Sequence, residues 1–304
     1  YQAIAIKVAK NLNIEIFVFE EGYLRPNFIT LEKYGVNAHS TQPRDRSFYD
    51  NLILDNQLKD EIKNLKNFNS TFSKMAREAI IYYWVSNLLK FRYPHYRHHR
   101  CFSLSKEFKA GCLNIFRKYV HKITERNLNK EYSSNFSKKY YFVPLQTHGD
   151  FQIQTHSKYN NIEDFIEEVM ISFSKFAPKD TYLVFKHHPV DRGRKNYKKF
   201  INNLAEKLNI RNNIVITWDV HLPTFLKNAI GTIVINSTVG ISSLYHNTPT
   251  ICLGEAIYDI EGLTSKDISI DDFWQNYTKI DRELFDKFKG HLIQTTQINS
   301  NFYL

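Results

Sequence analysis

The length, composition and charge of this 304-residue chain exclude several classes of protein. With 42% hydrophobic and 24% charged residues it has the composition of a globular protein, and no apolar stretch approaches the ~18 residues that a membrane-spanning helix needs. The net charge of +10 favours an anionic partner such as nucleic acid, a lipid surface, or a phosphorylated or carboxylated substrate. The three cysteines have the spacing of neither a disulfide framework nor a zinc site, which indicates a reducing, cytoplasmic environment.

The first 135 residues predict the end of a βα repeat followed by helices. A helical pattern leads into the apolar run Ile14 to Phe19, which predicts a buried strand, and the stretch EEGYLRP (Glu20 to Pro26) then predicts a loop. Because the chain opens on this helix without a cap or an initiator Met, we expect it to start inside its first domain. Residues 45–126 are rich in helix formers and aromatic residues and predict a helical insertion.

The rest of the chain predicts a parallel sheet covered by helices. After a polar stretch, residues 126–139, that we interpret as a linker, five predicted strands alternate with helices as far as Gly254. Such sheets bind ligands beyond the carboxyl ends of their strands. Since the length also agrees with two domains, we predict an α/β fold in which two Rossmann-type domains, residues 1–135 and 136–304, face a central cleft.

The motif FKHHPVDRGR (Phe185 to Arg194) lies at the end of a predicted strand. It concentrates Lys186, two histidines and two arginines where a phosphate could be bound, and His188 and Pro189 form a His-Pro pair. The alternative is a solvated basic loop shaped by the proline. The position at a strand end favours the functional interpretation.

Two further motifs follow other predicted strands. Asn236, Ser237 and Thr238 precede a helix, where backbone amides and hydroxyl groups bind anions well, although the same residue types are common in ordinary N-caps. The second motif, VPLQTHGDFQIQ, places a carboxylate and two amides at the mouth of the cleft. An Asp beside a Gly is commonly just a turn residue. The three side chains concerned are Asp150, Gln146 and Gln152.

The run YPHYRHHR (Tyr93 to Arg100) is dense in cations and aromatic rings. It is typical of a surface that meets anionic lipid head groups, and equally of a solvated helix face. Metal ligation is disfavoured because the neighbouring arginines would repel a cation. The residues assigned to a membrane or acceptor surface are Arg97, His98, His99 and Arg100.

Four blocks of the sequence resemble the capsular polysaccharide β-Kdo transferases of the KpsS and KpsC type, and are closer to the KpsS branch. They occur in the family's order: EEGYLRPNFITLEKYGVNAHS, VPLQTHGDFQI, KHHPVDRG and NSTVGISSLYHNTPTICLGEAIYDIEGLT. The resemblance implies a GT-B-like fold and a retaining enzyme that moves Kdo, an anionic eight-carbon sugar, from CMP-Kdo to phosphatidylglycerol or a lipid-linked Kdo. This reaction would start or extend the linker of the capsule.

The resemblance also implies a location and partners. The protein would be cytoplasmic and peripheral at the inner face of the inner membrane, and other capsule assembly proteins are further candidate partners. We expect no metal, no cofactor and no nucleic acid, since CMP leaves with a single phosphate and the sequence has no Asp-x-Asp pair. The alternatives are a non-catalytic capsule assembly or lipid-binding scaffold with the same fold and, more remotely, a nucleic-acid-binding module.

The resemblance assigns roles to individual residues. Asp150 would be the carboxylate nucleophile that retention through two displacements requires. Glu21 would be the general base that deprotonates the acceptor hydroxyl. Arg25 is a candidate for the sugar carboxylate, although an ion pair with Glu20 or Glu21 is a strong alternative. The predicted CMP-binding residues are Lys186, His188, Pro189, Asn236, Ser237 and Thr238, and Gln146 and Gln152 are predicted to contact substrate.

Overall fold

The computed structural model describes residues 2–54, 65–68, 72–96 and 104–302 of the chain. Its N-terminal part contains two strands that form an antiparallel hairpin, with Glu21 opposite Ile29 beside the turn. The elements are helix α1 (Gln2–Asn11), strands β1 (Phe17–Glu21) and β2 (Ile29–Lys33), and helix α2 (Arg46–Asp50).

This hairpin shows that two predictions were wrong. The predicted strand of residues 14–19 begins only at Phe17 and continues to Glu21, so Glu20 and Glu21 lie in a strand rather than in a loop. The strand also pairs antiparallel, and the N-terminal ranges that the structure describes contain no parallel pair of the predicted Rossmann type. Phe17 and Phe19 are more than half exposed, at 57% and 59%, so the apolar run did not mark a buried strand.

The predicted helical insertion is confirmed for the described residues. It contains helix α3 (Phe72–Leu88), which continues in a 3-10 turn to Phe91, helix α4 (Leu104–Thr124) and the short helix α5 (Leu128–Tyr132). Helix α5 lies within the stretch that the sequence predicts as a linker. Among the helices described, none is both long enough and apolar enough to cross a bilayer. The predicted membrane residues Arg97, His98, His99 and Arg100 lie outside the described residues.

The predicted parallel sheet is confirmed. Its strands are β3 (Tyr140–Pro144), β4 (Tyr182–Lys186), β5 (Ile214–Thr217), β6 (Gly231–Val234) and β7 (Thr250–Cys252). They lie in the order β5-β4-β3-β6-β7 and every neighbouring pair is parallel. The order reverses beside β3, and loops that diverge from such a switch point leave a crevice where ligands bind.

Strand β3 shows why the strands of this sheet have continuous apolar sequences rather than alternating ones. All five of its residues are buried, and alternate side chains enter different cores. Tyr141 and Val143 join the larger core, whereas Tyr140 and Phe142 join a second core on the other face. Helices cover both faces, as expected for a parallel sheet. They include α6 (Phe151–His156), α7 (Ile162–Phe176), α8 (Lys198–Lys207), α9 (Leu222–Asn228) and α10 (Val239–Tyr245).

The end of the chain returns to the N-terminal hairpin. Helices α11 (Ile270–Phe273) and α12 (Arg282–Thr295) lead to strand β8 (Gln297–Ile298), which pairs with β2. Phe285 and Phe288 of α12 share a core with Tyr23 and Tyr49, and the Gln297 side chain accepts a hydrogen bond from the Tyr23 N–H at 2.9 Å. These contacts fix the hairpin against the rest of the protein. The division at residues 135 and 136 stays a prediction.

Candidate functional site

A cleft of about 570 Å³ lies beyond the carboxyl ends of β3, β4 and β6, with the β1–β2 hairpin on its opposite side. We call the hairpin side the N-terminal wall (Glu20, Glu21, Tyr23, Arg25 and Asn37). The side formed by the parallel-sheet loops is called the C-terminal wall. Most of the predicted site residues line this one cleft: Glu21, Arg25, Gln146, Asp150, Gln152, His188, Asn236, Ser237 and Thr238.

Gln146 connects the segments of the C-terminal wall. Its side chain is buried just after β3, and its Nε2 donates to Asp150 Oδ2 and to Asn236 Oδ1, both at 3.0 Å. Its Oε1 accepts the backbone N–H of Asn236 at 3.4 Å. Asn236 in turn donates to the backbone carbonyl of Gln152 at 3.1 Å. Gln146 therefore orients Asp150 and joins the loops that follow β3 and β6.

Asp150 has both a structural contact and access to the cleft. Its Oδ1 accepts the N–H of Gln152 at 3.0 Å, which makes Asp150 the N-cap of helix α6. Its Oδ2 accepts the bond from Gln146. A carboxylate has about four acceptor positions, so these two bonds leave others for a ligand. The turn interpretation and the functional one are therefore compatible for this residue.

His188 follows strand β4 and lines the cleft. Its Nδ1 accepts the N–H of Val190 at 3.3 Å. Burial lowers the pKa of His188, against the raising effect of Asp191. The imidazole is therefore neutral near pH 7 and carries its proton on Nε2, because Nδ1 acts as an acceptor. That Nε2–H group is a donor suited to a phosphate oxygen.

The alternative of a solvated basic loop after β4 is wrong for Asp191 and Arg192. Asp191 is 1% exposed, and its carboxylate accepts the backbone N–H of His148 at 2.8 Å and contacts the Nδ1 of the same histidine at 2.6 Å. Arg192 is buried in an ion pair with Asp219. The loops after β3 and β4 are thus joined through His148.

Ser237 and Thr238 present hydroxyl groups to the same cleft. The Ser237 Oγ accepts the N–H of Val239 at 3.3 Å, and the Ser237 carbonyl accepts a short hydrogen bond from the hydroxyl of Tyr258. Thr238 occupies the N-cap position of α10, but its side chain makes no capping bond. Ordinary capping therefore does not account for Thr238.

The N-terminal wall presents an ion pair to the cleft. Arg25 Nη1 lies 3.5 Å from Glu21 Oε2, and the two side chains are 53% and 47% exposed. The ion-pair alternative for Arg25 is thus confirmed. Glu20 Oε1 accepts the N–H of Glu21 at 3.0 Å. Half-exposed pairs contribute at most about 1 kcal/mol, so this one can be exchanged for contacts with a ligand.

Sequence reasoning missed several lining residues. Tyr23 is the buried member of the N-terminal wall, and its hydroxyl donates to Glu32 at 2.6 Å and accepts the N–H of Asn37 at 2.7 Å. Tyr258 lines the C-terminal wall. A Cβ on Gly240 would lie 2.2 Å from the Tyr258 hydroxyl, so a glycine at the start of α10 was the available signal of close approach.

Two residues predicted to bind nucleotide, Lys186 and Pro189, are not part of the lining. Lys186 is 9% exposed and interacts electrostatically with Asp219 and Arg192, while burial lowers its pKa to about 8. Pro189 begins the 3-10 turn that follows His188. We therefore correct the assignment of Lys186 from a direct ligand to a buried charge behind the cleft, and Pro189 to a residue that fixes the backbone after His188.

Comparison with known proteins gives consistent matches. The family model described as capsule polysaccharide biosynthesis protein matches residues 1–303. The capsule polysaccharide export protein KpsS of Escherichia coli is 41% identical over 295 residues, which are 97% of this chain and 74% of the relative. The capsule polysaccharide modification protein LipB of Neisseria meningitidis serogroup A is 37% identical over 309 residues, which cover 100% of this chain and 72% of the relative.

A solved structure, the β-Kdo 2,4 transferase of Thermosulfurimonas dismutans KpsC, has a TM-score of 0.46 and 15% identity, and the match covers 94% of this chain and 75% of that one. A likeness at that level carries no argument about activity. The family match and the two curated relatives, by contrast, each extend over almost the whole chain. The chain therefore belongs to the capsule polysaccharide biosynthesis protein family.

Proposed function

We propose that this protein is a retaining β-Kdo glycosyltransferase that moves Kdo from CMP-Kdo to a phosphatidylglycerol-type lipid and so initiates the poly-Kdo linker of capsular polysaccharide. The observation that carries the proposal is the position of Asp150. Its carboxylate is oriented by Gln146 in the same cleft as the donors of His188, Ser237 and Thr238. A nucleophile beside a phosphate-binding group is the arrangement that displacement of CMP requires.

The reaction has two displacements. In the first, Asp150 attacks the anomeric carbon, the bond from that carbon to the phosphate oxygen of CMP breaks, and His188 with Ser237 and Thr238 stabilises the departing phosphate. In the second, Glu21 takes the proton of the acceptor hydroxyl, whose oxygen attacks the anomeric carbon and releases Asp150. Two inversions give net retention. No step in this scheme calls for a metal ion, and metal independence stays our prediction.

The location belongs to the same proposal. A phosphatidylglycerol acceptor places the enzyme at the inner face of the inner membrane as a peripheral protein. The excess of basic residues supports this, since both the donor and that membrane surface are anionic. Arg25 is positioned to exchange Glu21 for the carboxylate of the donor sugar.

The test is incubation with CMP-Kdo, generated in place because it is labile, and a fluorescent phosphatidylglycerol, followed by mass analysis of lipid and protein. We expect the mass of the lipid to increase by one Kdo. A short incubation without acceptor should leave one Kdo covalently bound to the wild-type protein, and the Asp150→Asn variant should not form this adduct. Gain only on a Kdo-primed lipid would assign the extending role instead. No gain on either lipid, with lipid binding intact, would favour the scaffold alternative.

A further inference from the structure

Helix α4 directs apolar side chains to solvent. Phe108, Ile115, Phe116, Tyr119 and Ile123 are each between 62% and 73% exposed. Their spacing places them along one stripe of the helix. A surface helix normally buries such a stripe against the core, so α4 has the reverse of the usual orientation.

The opposite side of α4 is held to the protein by hydrogen bonds and ring stacking. Three of these are Asn114 Nδ2 to the Pro189 carbonyl (3.1 Å), Arg117 Nη1 to the Arg192 carbonyl (2.7 Å), and the His121 ring stacked on Trp218 with centroids 4.4 Å apart. Rotating the helix to bury its apolar stripe would break all three. The two hydrogen bonds also connect α4 to the loop that begins with His188, on the C-terminal wall.

Helix α3 and the turn after it repeat this exposure. Ile80, Trp84 and Leu88 recur every four residues and are 58%, 58% and 64% exposed, and Phe91 in the following 3-10 turn is 81% exposed. This spacing also forms one stripe. Two neighbouring segments of the chain thus present aliphatic and aromatic side chains outward.

Basic residues accompany both stripes. Within residues 72–96 and 104–124, the exposed acidic residues are limited to Glu78, which lies 3.1 Å from Arg77. Glu107 is half-buried and paired with Arg194. The exposed cations in these ranges are Lys74, Arg77, Lys90, Arg92, Lys106, Lys109, Lys118 and Lys122.

We propose that the outward faces of α3 and α4, here called the apolar-basic surface, dock on an anionic lipid bilayer. Apolar and aromatic side chains enter the acyl boundary of such a bilayer, while Lys and Arg contact its phosphates. A symmetric dimer through this surface would bring the same cations together, because both subunits use one patch. A bilayer of anionic lipid has the complementary charge.

The docked orientation deepens the proposed function, on which the choice of a lipid acceptor rests. Because the polar side of α4 holds the loop of His188, docking brings the C-terminal wall close to the lipid head groups. Helix α4 carries exposed lysines and is bound to the protein along its polar side, so it lies along the bilayer surface rather than across it. An acceptor that stays in the membrane could then reach the cleft.

Vesicle flotation tests the surface directly. We expect the wild-type protein to float with vesicles of phosphatidylglycerol and phosphatidylcholine, and about tenfold less with phosphatidylcholine alone. Ile115→Ser with Tyr119→Ser should lower binding to the anionic vesicles by about tenfold. The matched control, Ile53→Ser with Tyr245→Ser, changes exposed side chains of the same two types elsewhere and should bind like wild type. Binding by the double variant at the wild-type level would overturn the proposal.

A fluorophore on Cys112 reports which face enters the bilayer. Cys112 is exposed on α4 between Phe108 and Ile115, and Cys252 is half-buried against a core. In a Cys101→Ser background, an environment-sensitive label on Cys112 should shift to the blue with anionic vesicles, whereas the Cys101→Ser, Cys112→Ser control should not. An unchanged spectrum, or a concentration-dependent dimer that Ile115→Ser and Tyr119→Ser abolish without any vesicle binding, would refute the docking surface.

Transfer assays separate this inference from the proposed function. Toward a detergent-dispersed acceptor, the Ile115→Ser, Tyr119→Ser variant should keep wild-type transfer, but toward vesicles its rate should fall about tenfold, in proportion to binding. Vesicle binding without transfer by the wild-type protein would refute the transferase alone. If the wild-type protein transfers Kdo and the variant matches it in both the vesicle and the detergent assay, the docking surface alone would be refuted.

Discussion

The two walls of the cleft are built differently. On the C-terminal wall, Gln146 donates hydrogen bonds of 3.0 Å to Asp150 in its own loop and to Asn236 in the loop of the adjacent strand β6. On the N-terminal wall, Glu21 and Arg25 hold each other through one half-exposed ion pair. A fixed wall suits the groups that must meet the reacting carbon in one geometry. An exposed and exchangeable pair suits an acceptor that has to enter, lose a proton and leave.

Among changes in the two walls, replacing Asp150 is expected to have the largest effect on the rate of transfer. Asp150→Ala should lower Kdo transfer at least about a thousandfold, because it removes the carboxylate that forms the covalent intermediate in the proposed reaction. Loss of the cap should also destabilise α6 by about 1 kcal/mol. The measurements are product mass over time and thermal unfolding.

Asp150→Asn is the matched control, since Asn keeps an acceptor for Gln152 and is a good N-cap residue. It should unfold like wild type and bind CMP equally well, yet transfer as poorly as Asp150→Ala. Wild-type transfer by either variant would move the nucleophile away from this wall.

Substitutions in the N-terminal wall should lower the rate of transfer and have little effect on the stability of the protein. Glu21→Gln is expected to lower transfer about 100-fold or more, the contribution of a general base. Its unfolding free energy should change by less than about 1 kcal/mol, because only an exposed ion pair is lost. Glu20→Gln, one residue away on the same strand, is the control and should stay within about threefold of wild type. Equal losses in the two variants would show that the base assignment is wrong.

The two walls also differed in how far the sequence predicted them. Gln146, Asp150, His188 and Ser237 were placed correctly in one cleft because parallel strands bring their carboxyl ends to a common edge. The residues Ile14 to Phe19 do not show that the strand pairs antiparallel with β2, and β2 pairs in turn with β8 at the far end of the chain. Pairing between distant residues cannot be derived from a periodicity that covers only a few neighbours.

Lys186 shows a second limit of sequence reasoning. The motif FKHHP places it two residues before His188, and the cluster of cationic and donor groups at the end of a predicted strand predicts that both residues bind phosphate. Alternation along a strand would put Lys186 and His188 on one face, but β4 ends at Lys186 and His188 lies in the turn beyond it, so the motif does not decide which of them meets the cleft. The carboxylates of buried Glu125 and partly exposed Asp219 that interact with Lys186 come from other segments, and no local pattern indicated them.

Gln146→Ala tests whether the order of the C-terminal wall matters for the reaction. It removes the bonds to Asp150 and Asn236 and leaves both side chains in place. We expect transfer to fall about 10-fold to 100-fold through misplacement of the nucleophile. The loss should appear in kcat more than in CMP affinity. Gln152→Ala is the control, since the bond from Gln152 to Asp150 uses only its backbone N–H, and a larger loss there would assign the glutamine roles the other way.

The smallest expected effect concerns the support beneath the C-terminal wall. His187 is 1% exposed, stacks on Trp218 with centroids 4.4 Å apart, and accepts the N–H of Tyr197 at 3.0 Å through Nε2. Burial lowers the pKa of His187 to about 4. Between that value and the ordinary histidine pKa of about 6.5, the unfolded chain binds a proton that the folded protein does not, so stability falls as pH falls through this window.

His187→Gln keeps a hydrogen-bond acceptor and removes the titration. From about pH 7.5 to about pH 5.5 the wild-type protein should lose about 1 kcal/mol more unfolding free energy than the variant does, as measured by urea unfolding at the two pH values. His156→Gln is the comparison variant. Burial also lowers the pKa of His156, but this residue lies on α6 and stacks edge-on against His39, so the variant reports on a buried histidine outside the support of the wall. If His187→Gln loses as much stability on acidification as the wild-type protein, then His187 is protonated in the folded protein. The prediction that His187 is a neutral, buried imidazole would then be wrong.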